Sequence, residues 1–381
     1  MAGLGAALGL AGKGLRVQIL ERRAALSDAG AGIQIGPNGV KALERLGALQ
    51  AVEKVAFAPQ GIAIYQGASG TKLTTLPLAD NRYGAPYLSL LRADLQSALL
   101  ATVAAVPAIN LTLGFEVESF NDTEAGVRVR STDGRSFEGA ALIGADGLWS
   151  RVRREVAWEE VEPTGYVAYR TLIPRAGLAS PFDAPEVGLW LGDDAHVVHY
   201  PVRRGELLNL VVVIEGRESH SDWDTPGSIA NVLPKLARWP RALRDLLEAA
   251  TVWRSWTLYD LKEPARWVNG RLALIGDAAH PVLPFLAQGA VMAFEDAVAL
   301  AECVGAAGAS IPEALAAYEH ARSGRARQLA AAARENGRTY HMKGLAAVAR
   351  DATLRLTPPG MLLGRYDWLY GFEPGSYVQR G

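Results

Sequence analysis

The chain of 381 residues contains one cysteine, Cys303. A single cysteine excludes an intrachain disulfide and a metal cluster of cysteines, and its position in an apolar stretch predicts that it is buried. No apolar run approaches the roughly 20 residues that a membrane-spanning helix needs. The formal net charge is −1, so no excess of positive charge indicates nucleic acid or an anionic membrane as a partner. We therefore expect a globular cytoplasmic protein without a metal site.

The composition, with 49% hydrophobic and 21% charged residues, is typical of a globular protein. The length exceeds what one simple core supports and indicates about two domains. One basic cluster stands out, at residues 322–327, with arginines at positions 322, 325 and 327. Its spacing predicts the solvated face of a helix rather than a site for a polyanion.

The first residues have the pattern of half a nucleotide-binding unit. Residues 3–12 are small and predict a helix that packs closely on a sheet, and residues 16–21 predict a strand ending in Glu21. A dinucleotide-binding βαβ unit has this order after an initial strand and the motif G-x-G-x-x-G. Gly3 would be the third glycine of that motif, and Glu21 follows it by 18 positions. We expect the natural start to lie upstream, the alternative being a chain that begins with this helix.

A second motif occupies residues 272–281 and 288–297. An apolar strand runs into Gly276 and Asp277, and Gly289 begins a long helix. This order brings a carboxylate, an accessible backbone and the positive end of a helix to one place, which suits a polyhydroxylated anionic cofactor. Alone, Gly-Asp could equally end a strand and cap a helix, and the neighbouring His280-Pro281, Gln288-Gly289 and Glu295-Asp296 favour the cofactor site.

A third motif follows the apolar strand at residues 141–144. Asp146 can accept hydrogen bonds, Gly147 permits a close approach of the backbone, and Arg153 supplies a cation. The alternative interpretation is an Asx-type turn with surface arginines.

Together the three motifs resemble those of the FAD-dependent aromatic hydroxylases, the single-component flavoprotein monooxygenases. Residues 165–170, 283–288 and 366–370 are most similar to the salicylate hydroxylase-like branch. The resemblance implies an α/β fold with a discontinuous Rossmann-like FAD-binding domain, an inserted β-rich substrate domain and a helical C-terminal segment. We expect the FAD-binding domain at 1–56, 87–157 and 265–330, with its first strand missing. The substrate domain would comprise 57–86 and 158–264, and the C-terminal segment 331–381.

The resemblance also assigns the residues that bind FAD. In chain order they are Gly3, Glu21, Arg22, Gln34, Arg92, Asp146, Gly147, Arg153, Gly276, Asp277, Pro284, Gly289 and Ala290. Arg92 could instead be an exposed residue at the start of a helix. Ala287 and Val291 stand where many relatives carry Gly and Asn, so contacts with the flavin ring are expected to differ.

The candidate catalytic residues are His196, Tyr200 and Pro281. Alternate residues of a strand share a face, so His196 lies with Tyr200, whereas His199 points to the other face and cannot share a metal ion with His196. Relatives that act on hydroxybenzoates use a His and a Tyr at this spacing to hold and deprotonate a phenol, and a neutral imidazole can accept that proton. The alternative is that His196 only hydrogen-bonds within its sheet. One relative adds a Gln where this chain has Pro284, so that pair does not carry over.

By resemblance, the reaction is hydroxylation of a small hydroxylated aromatic acid of the salicylate or hydroxybenzoate type, with FAD, O2 and NADH or NADPH as a transient reductant, through a flavin C4a-hydroperoxide. The protein would be a monomer or homodimer. One alternative keeps the fold but changes the substrate to urate, a pyridine or a polyketide, or the reaction to epoxidation. The other is a truncated flavin-fold protein without catalytic activity.

Overall fold

The computed structural model describes residues 1–26, 30–123, 126–157, 159–216, 225–261, 266–306 and 310–375. The helices are α1 (Ala2–Gly12), α2 (Pro37–Arg45), α3 (Leu49–Glu53), α4 (Arg92–Ala104), α5 (Arg151–Val156), α6 (Arg241–Ala249), α7 (Gly289–Gly305), α8 (Ile311–Tyr340), α9 (Gly344–Leu356), α10 (Pro359–Gly364) and α11 (Asp367–Tyr370). In the described part of the chain, no helix is both long enough and apolar enough to cross a membrane.

In the described residues, the strands lie between positions 17 and 274. They are β1 (Val17–Leu20), β2 (Gly32–Ile35), β3 (Gly61–Gln66), β4 (Lys72–Pro77), β5 (Leu88–Leu91), β6 (Ile109–Thr112), β7 (Val117–Thr123), β8 (Gly126–Ser131), β9 (Ser136–Gly139), β10 (Leu142–Gly144), β11 (Glu162–Pro174), β12 (Val187–Leu191), β13 (Ala195–Val202), β14 (Leu207–Glu215), β15 (Thr225–Gly227), β16 (Trp253–Asp260), β17 (Val268–Asn269) and β18 (Leu272–Leu274).

The sheets separate into two kinds. Short parallel pairs, β1 with β6 and β10 with β18, carry the nucleotide-type motifs at their carboxyl ends. An eight-stranded sheet has the order β15-β16-β11-β14-β13-β12-β3-β4 and is antiparallel except between β12 and β3. Helices α8 to α11 complete the chain. The predicted class, an α/β fold with an inserted β-rich part and a helical C-terminal segment, is confirmed, while the domain boundaries stay a prediction; residues 376–381 of the last segment lie outside the described residues.

Helix boundaries depart from the sequence pattern where glycine or irregular backbone intervenes. The apolar stripe of residues 39–49 predicts one helix, but the backbone of Gly47 is left-handed (φ +70°) and divides the stripe between α2 and α3. Between residues 226 and 250 the backbone is α-helical only in α6, which follows two short 3-10 turns.

Helix α1 packs directly on α7 because its small residues allow the backbones to approach. A Cβ atom on Gly9 would lie 2.9 Å from the Ala297 carbonyl oxygen, and one on Gly5 would lie 3.3 Å from Phe294. The same closeness continues into the cofactor motif, where a Cβ on Gly276 would lie 3.1 Å from Ala2. Small side chains therefore set the position of the start of α1 relative to residue 276.

Buried ion pairs connect α7 with α8. Glu295, Asp296 and Arg322 are fully buried, and the Arg322 guanidinium lies 2.9 Å from Glu295 and 2.7 Å from Asp296. The prediction that residues 322–327 form a solvated face is therefore wrong for Arg322, and also for Arg325, whose side chain is 9% exposed and 2.6 Å from Glu295. Periodicity did not reveal this, because the partner carboxylates lie on another helix.

The network reaches the loop after β18. Asp296 accepts hydrogen bonds from the Gly276 amide at 3.1 Å and is paired with His280 at 2.5 Å. Burial raises the pKa of a carboxyl group, but His280 and Arg322 outweigh burial for Asp296 and bring its pKa down to about 2. Asn38 of α2 donates to Glu295 at 2.7 Å. These bonds hold α2, α7, α8 and the Gly276 loop in one arrangement.

The close contact between α1 and α7 predicts a difference between two glycines of α1. Gly9→Ala is expected to lower the free energy of unfolding by about 1–2 kcal/mol, because overpacking outweighs the gain in helix propensity. Gly12→Ala is the control, since no atom lies within 4 Å of a Cβ there, and it is expected to be neutral or stabilising. Urea unfolding followed by circular dichroism measures both. Equal midpoints for the two variants would show that the contact does not constrain the packing.

The buried network predicts a larger loss. Arg322→Met leaves two carboxylates without their shared cation and is expected to destabilise the protein by about 3–5 kcal/mol. Arg327→Met removes an exposed arginine of the same helix and is expected to change stability by less than about 0.5 kcal/mol. Thermal unfolding of both variants tests the assignment, and a melting temperature for Arg322→Met as high as that of the control would contradict it.

Candidate functional site

Three of the predicted cofactor residues converge at the start of α1. Glu21 follows β1, Arg92 follows β5 and Asp277 follows β18. The amino group of Met1 interacts electrostatically with all three, and Arg92 interacts with Asp277. The exposed Asp277 carboxylate accepts no hydrogen bond from the residues that the structure describes. An exposed carboxylate in this place can accept hydrogen bonds from hydroxyl groups of a ligand.

The Asp146 motif lies beside Asp277. The Arg153 guanidinium donates to the backbone carbonyls of Asp277 at 3.4 Å and Ala278 at 3.1 Å, and it interacts electrostatically with Asp146. The Asp146 carboxylate accepts from the backbone amides of Arg151 at 2.7 Å and Val152 at 3.3 Å. These amides lie five and six positions after Asp146, not two as in an Asx turn, and Arg153 is buried rather than on the surface. The bonds fix the start of α5 and so place Arg153 next to Asp277.

Glycines keep the space around these groups open. Gly289 begins α7 next to Asp277, since a Cβ on it would lie 3.8 Å from Asp277 Oδ1. Gly147 has a left-handed backbone (φ +77°) and no atom within 4 Å of a Cβ position. A Cβ on Gly3 would lie 3.4 Å from the Ala145 side chain. An accessible backbone, a helix N-terminus, two cations and an acceptor carboxylate fit a ligand with phosphates and ribose or ribityl hydroxyls, as FAD has.

The remaining predicted cofactor residues lie around this region with different exposure. Arg22 is exposed next to Glu21, Ala290 is half-buried in the first turn of α7, and Gly276 is buried. Gly276 has φ +61°, a conformation that favours glycine. Its identity is thus required by the backbone as well as by the neighbouring Ala2.

A cavity of about 370 Å³ lies between the eight-stranded sheet and the C-terminal helices. Gln34, His196 and Pro284, all singled out from the sequence, line it. Its other walls are mostly apolar or aromatic and come from β3, β12 and the C-terminal helices, through residues such as Ile64, Leu189, Tyr340, Leu362 and Tyr366. The cavity is therefore suited to a small, largely apolar molecule with a few polar groups.

Two predicted catalytic residues do not line the cavity. Tyr200 is buried behind Gln34, to which it is hydrogen-bonded, and Gln34 also accepts from the Tyr87 hydroxyl at 2.9 Å. Burial raises the pKa of Tyr87 beyond that of a free tyrosine. Pro281 is buried and is not among the lining residues. Tyr200 therefore contacts Gln34, which lines the cavity, but does not line the cavity itself.

His196 faces the cavity from β13. It is 3% exposed, and its Nδ1 lies 2.9 Å from Nε2 of His341. Burial first, and then His341, lowers the pKa of His196 well below the usual value. A lowered pKa favours the neutral imidazole, which has one nitrogen without a proton that can act as an acceptor. Its partner belongs to the C-terminal segment, so the alternative of a bond confined to the sheet does not describe it.

His199 lies on the opposite face of β13, as the alternation predicts. It packs against Gly188 and Phe182, and burial lowers its pKa to about 3. Among the residues the structure describes, no group of three or more potential ligands could hold a metal ion.

Sequence reasoning missed the contributions of the C-terminal segment. His341 follows α8 and reaches His196 across 145 positions, and Asn336 and Tyr340 of the same helix bond to the Phe285 carbonyl. No local pattern signals such contacts, because they depend on how α8 packs across the sheet. Asn209, which accepts from the Gly32 amide at 2.9 Å, was missed for the same reason.

Comparisons with known proteins agree with this geometry. A family model described as FAD binding domain matches residues 1–333. The 3-amino-4-hydroxybenzoate 2-monooxygenase PtmB3 of Streptomyces platensis is 35% identical over 100% of this chain and 96% of its own length. The 3-hydroxybenzoate 6-hydroxylase of Polaromonas naphthalenivorans (strain CJ2) is 30% identical over 99% of this chain and 95% of its own.

Solved structures give the same result for the fold. A substrate complex of salicylate hydroxylase superposes with a TM-score of 0.84 at 27% identity, covering 99% of this chain and 95% of that one. Klebsiella pneumoniae HpxO complexed with FAD and uric acid superposes with a TM-score of 0.85 at 27% identity, covering 96% and 93%. The three motifs, and the cofactor cradle that Arg92, Arg153, Asp277 and Gly289 form, agree with these similarities. The chain belongs to the FAD-dependent aromatic hydroxylases, the single-component flavoprotein monooxygenases.

Proposed function

We propose that the protein hydroxylates a small hydroxylated aromatic acid of the hydroxybenzoate type, using O2 and NADH or NADPH. The observation that carries the proposal is the buried His196, which lines a cavity together with Gln34 and Pro284. A base inside a largely apolar cavity can deprotonate a phenol, and a phenolate is the more reactive form of an aromatic ring toward electrophilic oxygen.

Two regions of the protein have different roles, the region around Asp277 and the cavity lined by His196. When bound, FAD supplies the redox and oxygen chemistry. Asp277, Arg92 and Arg153 would hold it, together with the first turn of α7 next to Asp277. Around the cavity, apolar walls would exclude water and position the substrate ring. Exclusion of water prevents the hydrolysis of reactive intermediates.

Charge in the cavity supports an acidic substrate. Arg365 is the one Lys or Arg among the described lining residues, and the Glu335 carboxylate there is paired with Arg338 at 2.8 Å. A carboxylate is stabilised by a cation of this kind. The relatives are named for 3-hydroxybenzoate and 3-amino-4-hydroxybenzoate. Both of these compounds have a phenolic hydroxyl group and a carboxylate. A panel of these acids with salicylate and urate, followed by reductant oxidation and product analysis, tests the class, and oxidation of urate alone would overturn it.

We further propose that the protein acts in the cytoplasm, where its reductant is supplied, as a monomer or homodimer. Sedimentation of the purified flavoprotein distinguishes the two assemblies.

Loss of flavin is expected when the Asp277 carboxylate is removed. Asp277→Ala should weaken FAD binding by roughly 10- to 100-fold, since a hydrogen bond to a charged group contributes about 1.5–3 kcal/mol. Flavin absorbance per protein after gel filtration measures it. Asp245→Ala, at an exposed aspartate of α6, is the control and should keep its flavin. Full flavin occupancy and unchanged affinity in Asp277→Ala would remove Asp277 from the site.

Removing the proposed base should slow hydroxylation without releasing flavin. His196→Ala is expected to reduce kcat about 100-fold or more at pH 7. The loss should shrink as the pH rises toward the phenol pKa, because the substrate then enters already deprotonated. Product formation between pH 6 and pH 9.5, with FAD content as the control, measures this. Unchanged turnover across that range would exclude His196 as the base.

A further inference from the structure

The contact between His196 and His341 couples the protonation of one ring to that of the other. The two imidazoles meet through Nδ1 of His196 and Nε2 of His341, at 2.9 Å. Aromatic rings fix their orientation: Tyr166 stacks on His341 with centroids 5.0 Å apart, and Phe285 lies edge-on to both histidines. The pair therefore has one well-defined geometry, with the other nitrogen of each ring available for a second partner.

The role of His196 as a base determines the protonation of both rings. To accept a phenol proton at Nε2, a neutral His196 must carry its own proton on Nδ1. It then donates to Nε2 of His341, so a neutral His341 must carry its proton on Nδ1. Proton transfer from the phenol oxygen to His196 Nε2 can thus be coupled to transfer from His196 Nδ1 to His341 Nε2. The positive charge moves one ring outward and no charge is left in the cavity except the phenolate.

His341 is the better place for that charge. It follows the last residue of α8, where the helix dipole favours a cation. Burial lowers the pKa of His341 to about 4, Asp194 opposes this effect, and Lys343 and Arg350 add to it. The pKa of His196 is lowered by burial and then by His341, and no carboxylate opposes these effects. Asp194 and Lys343 form an ion pair whose side chains are 40% and 55% exposed, so this side of His341 borders solvent. The titratable or charged groups around His341 are Tyr166, Asp194, His196, Tyr340, Lys343 and Arg350.

An exit for the proton exists at the second nitrogen of His341. Its Nδ1 is buried and has no hydrogen-bond partner among the described residues. A buried polar atom without a protein partner is commonly satisfied by water. Release of the Nδ1 proton to water restores a neutral His341 and leaves both rings protonated on Nε2. When the oxygen of the product takes up a proton again, transfer along the same path in reverse, from water through His341 and His196, returns the proton of each ring to Nδ1.

We propose that His341 is a positioning residue that fixes the tautomer of His196 and relays the substrate's phenolic proton from the cavity toward the surface at Asp194. The proposal rests on the proposed function, because a phenolic substrate is its proton source. The relay adds a role in proton transfer to the C-terminal segment, which also lines the cavity and supplies Arg365.

Turnover against pH is the first test. His341→Gln keeps a polar side chain but cannot relay, and it is expected to lower kcat about 10-fold at pH 7, less than loss of the base itself. KM for 3-hydroxybenzoate and FAD content should stay within about two-fold of the wild type, and the deficit should vanish near pH 9.5, where the substrate needs no base. His320→Gln, at an exposed histidine of the same helix, is the control and should behave as wild type. Wild-type kcat in His341→Gln, or an equal deficit at every pH, would overturn the relay.

A second test does not require turnover. In FAD-loaded protein with ¹⁵N-labelled histidine, the ring nitrogens should show the proton on Nδ1 of both His196 and His341, and His341 should take up a proton before His196 on acidification. His341→Gln should change the tautomer of His196, whereas His320→Gln should not. A resting His196 protonated at Nε2 overturns the relay even if the acids are hydroxylated. Failure to oxidise any acid of the panel, with the expected tautomers present, counts against the proposed function instead.

Discussion

Two carboxylates on α7, Glu295 and Asp296, are enclosed without exposure to solvent, and Arg322 gives both a counter-charge. Ion pairs of this kind have little net stabilising effect compared with an apolar core, but they tolerate few alternative arrangements. Asp296 also binds the amide of Gly276. The cradle for the cofactor therefore depends on charges that never touch the cofactor, since they hold the loop after β18 in its left-handed turn.

Much of the fold followed from local pattern. Two strand-to-glycine motifs, at 144–147 and 272–277, lie at the carboxyl ends of β10 and β18, as their hydrophobic runs indicate. A long helix begins at Gly289, also as the sequence predicts. The alternation along β13 correctly separated His196 from His199. Such features depend on neighbours within a few positions, and the sequence contains them directly.

Long-range packing accounts for what sequence reasoning did not find. From the sequence, Arg322 looks like a surface arginine, and only the packing of α8 on α7 shows that it is buried. His341 has no recognisable sequence signal, because its contact with His196 depends on how α8 packs across the sheet. Tyr200 shares a strand face with His196, yet it is hydrogen-bonded to Gln34 and does not line the cavity. In each case the decisive partner is more than a hundred positions away or on another helix, where periodicity carries no information.

The cavity draws its walls from the sheet and from helices near the end of the chain, whereas the carboxylate and cations of the cradle come from earlier segments. Substitutions at positions such as Leu354, Leu362 or Tyr366 can reshape the cavity without touching Asp277 or Arg92. The aromatic substrate can therefore change through residues of the C-terminal helices while Asp277, Arg92 and Arg153 stay the same. Families that acquire new aromatic substrates while retaining one coenzyme have this kind of division available to them.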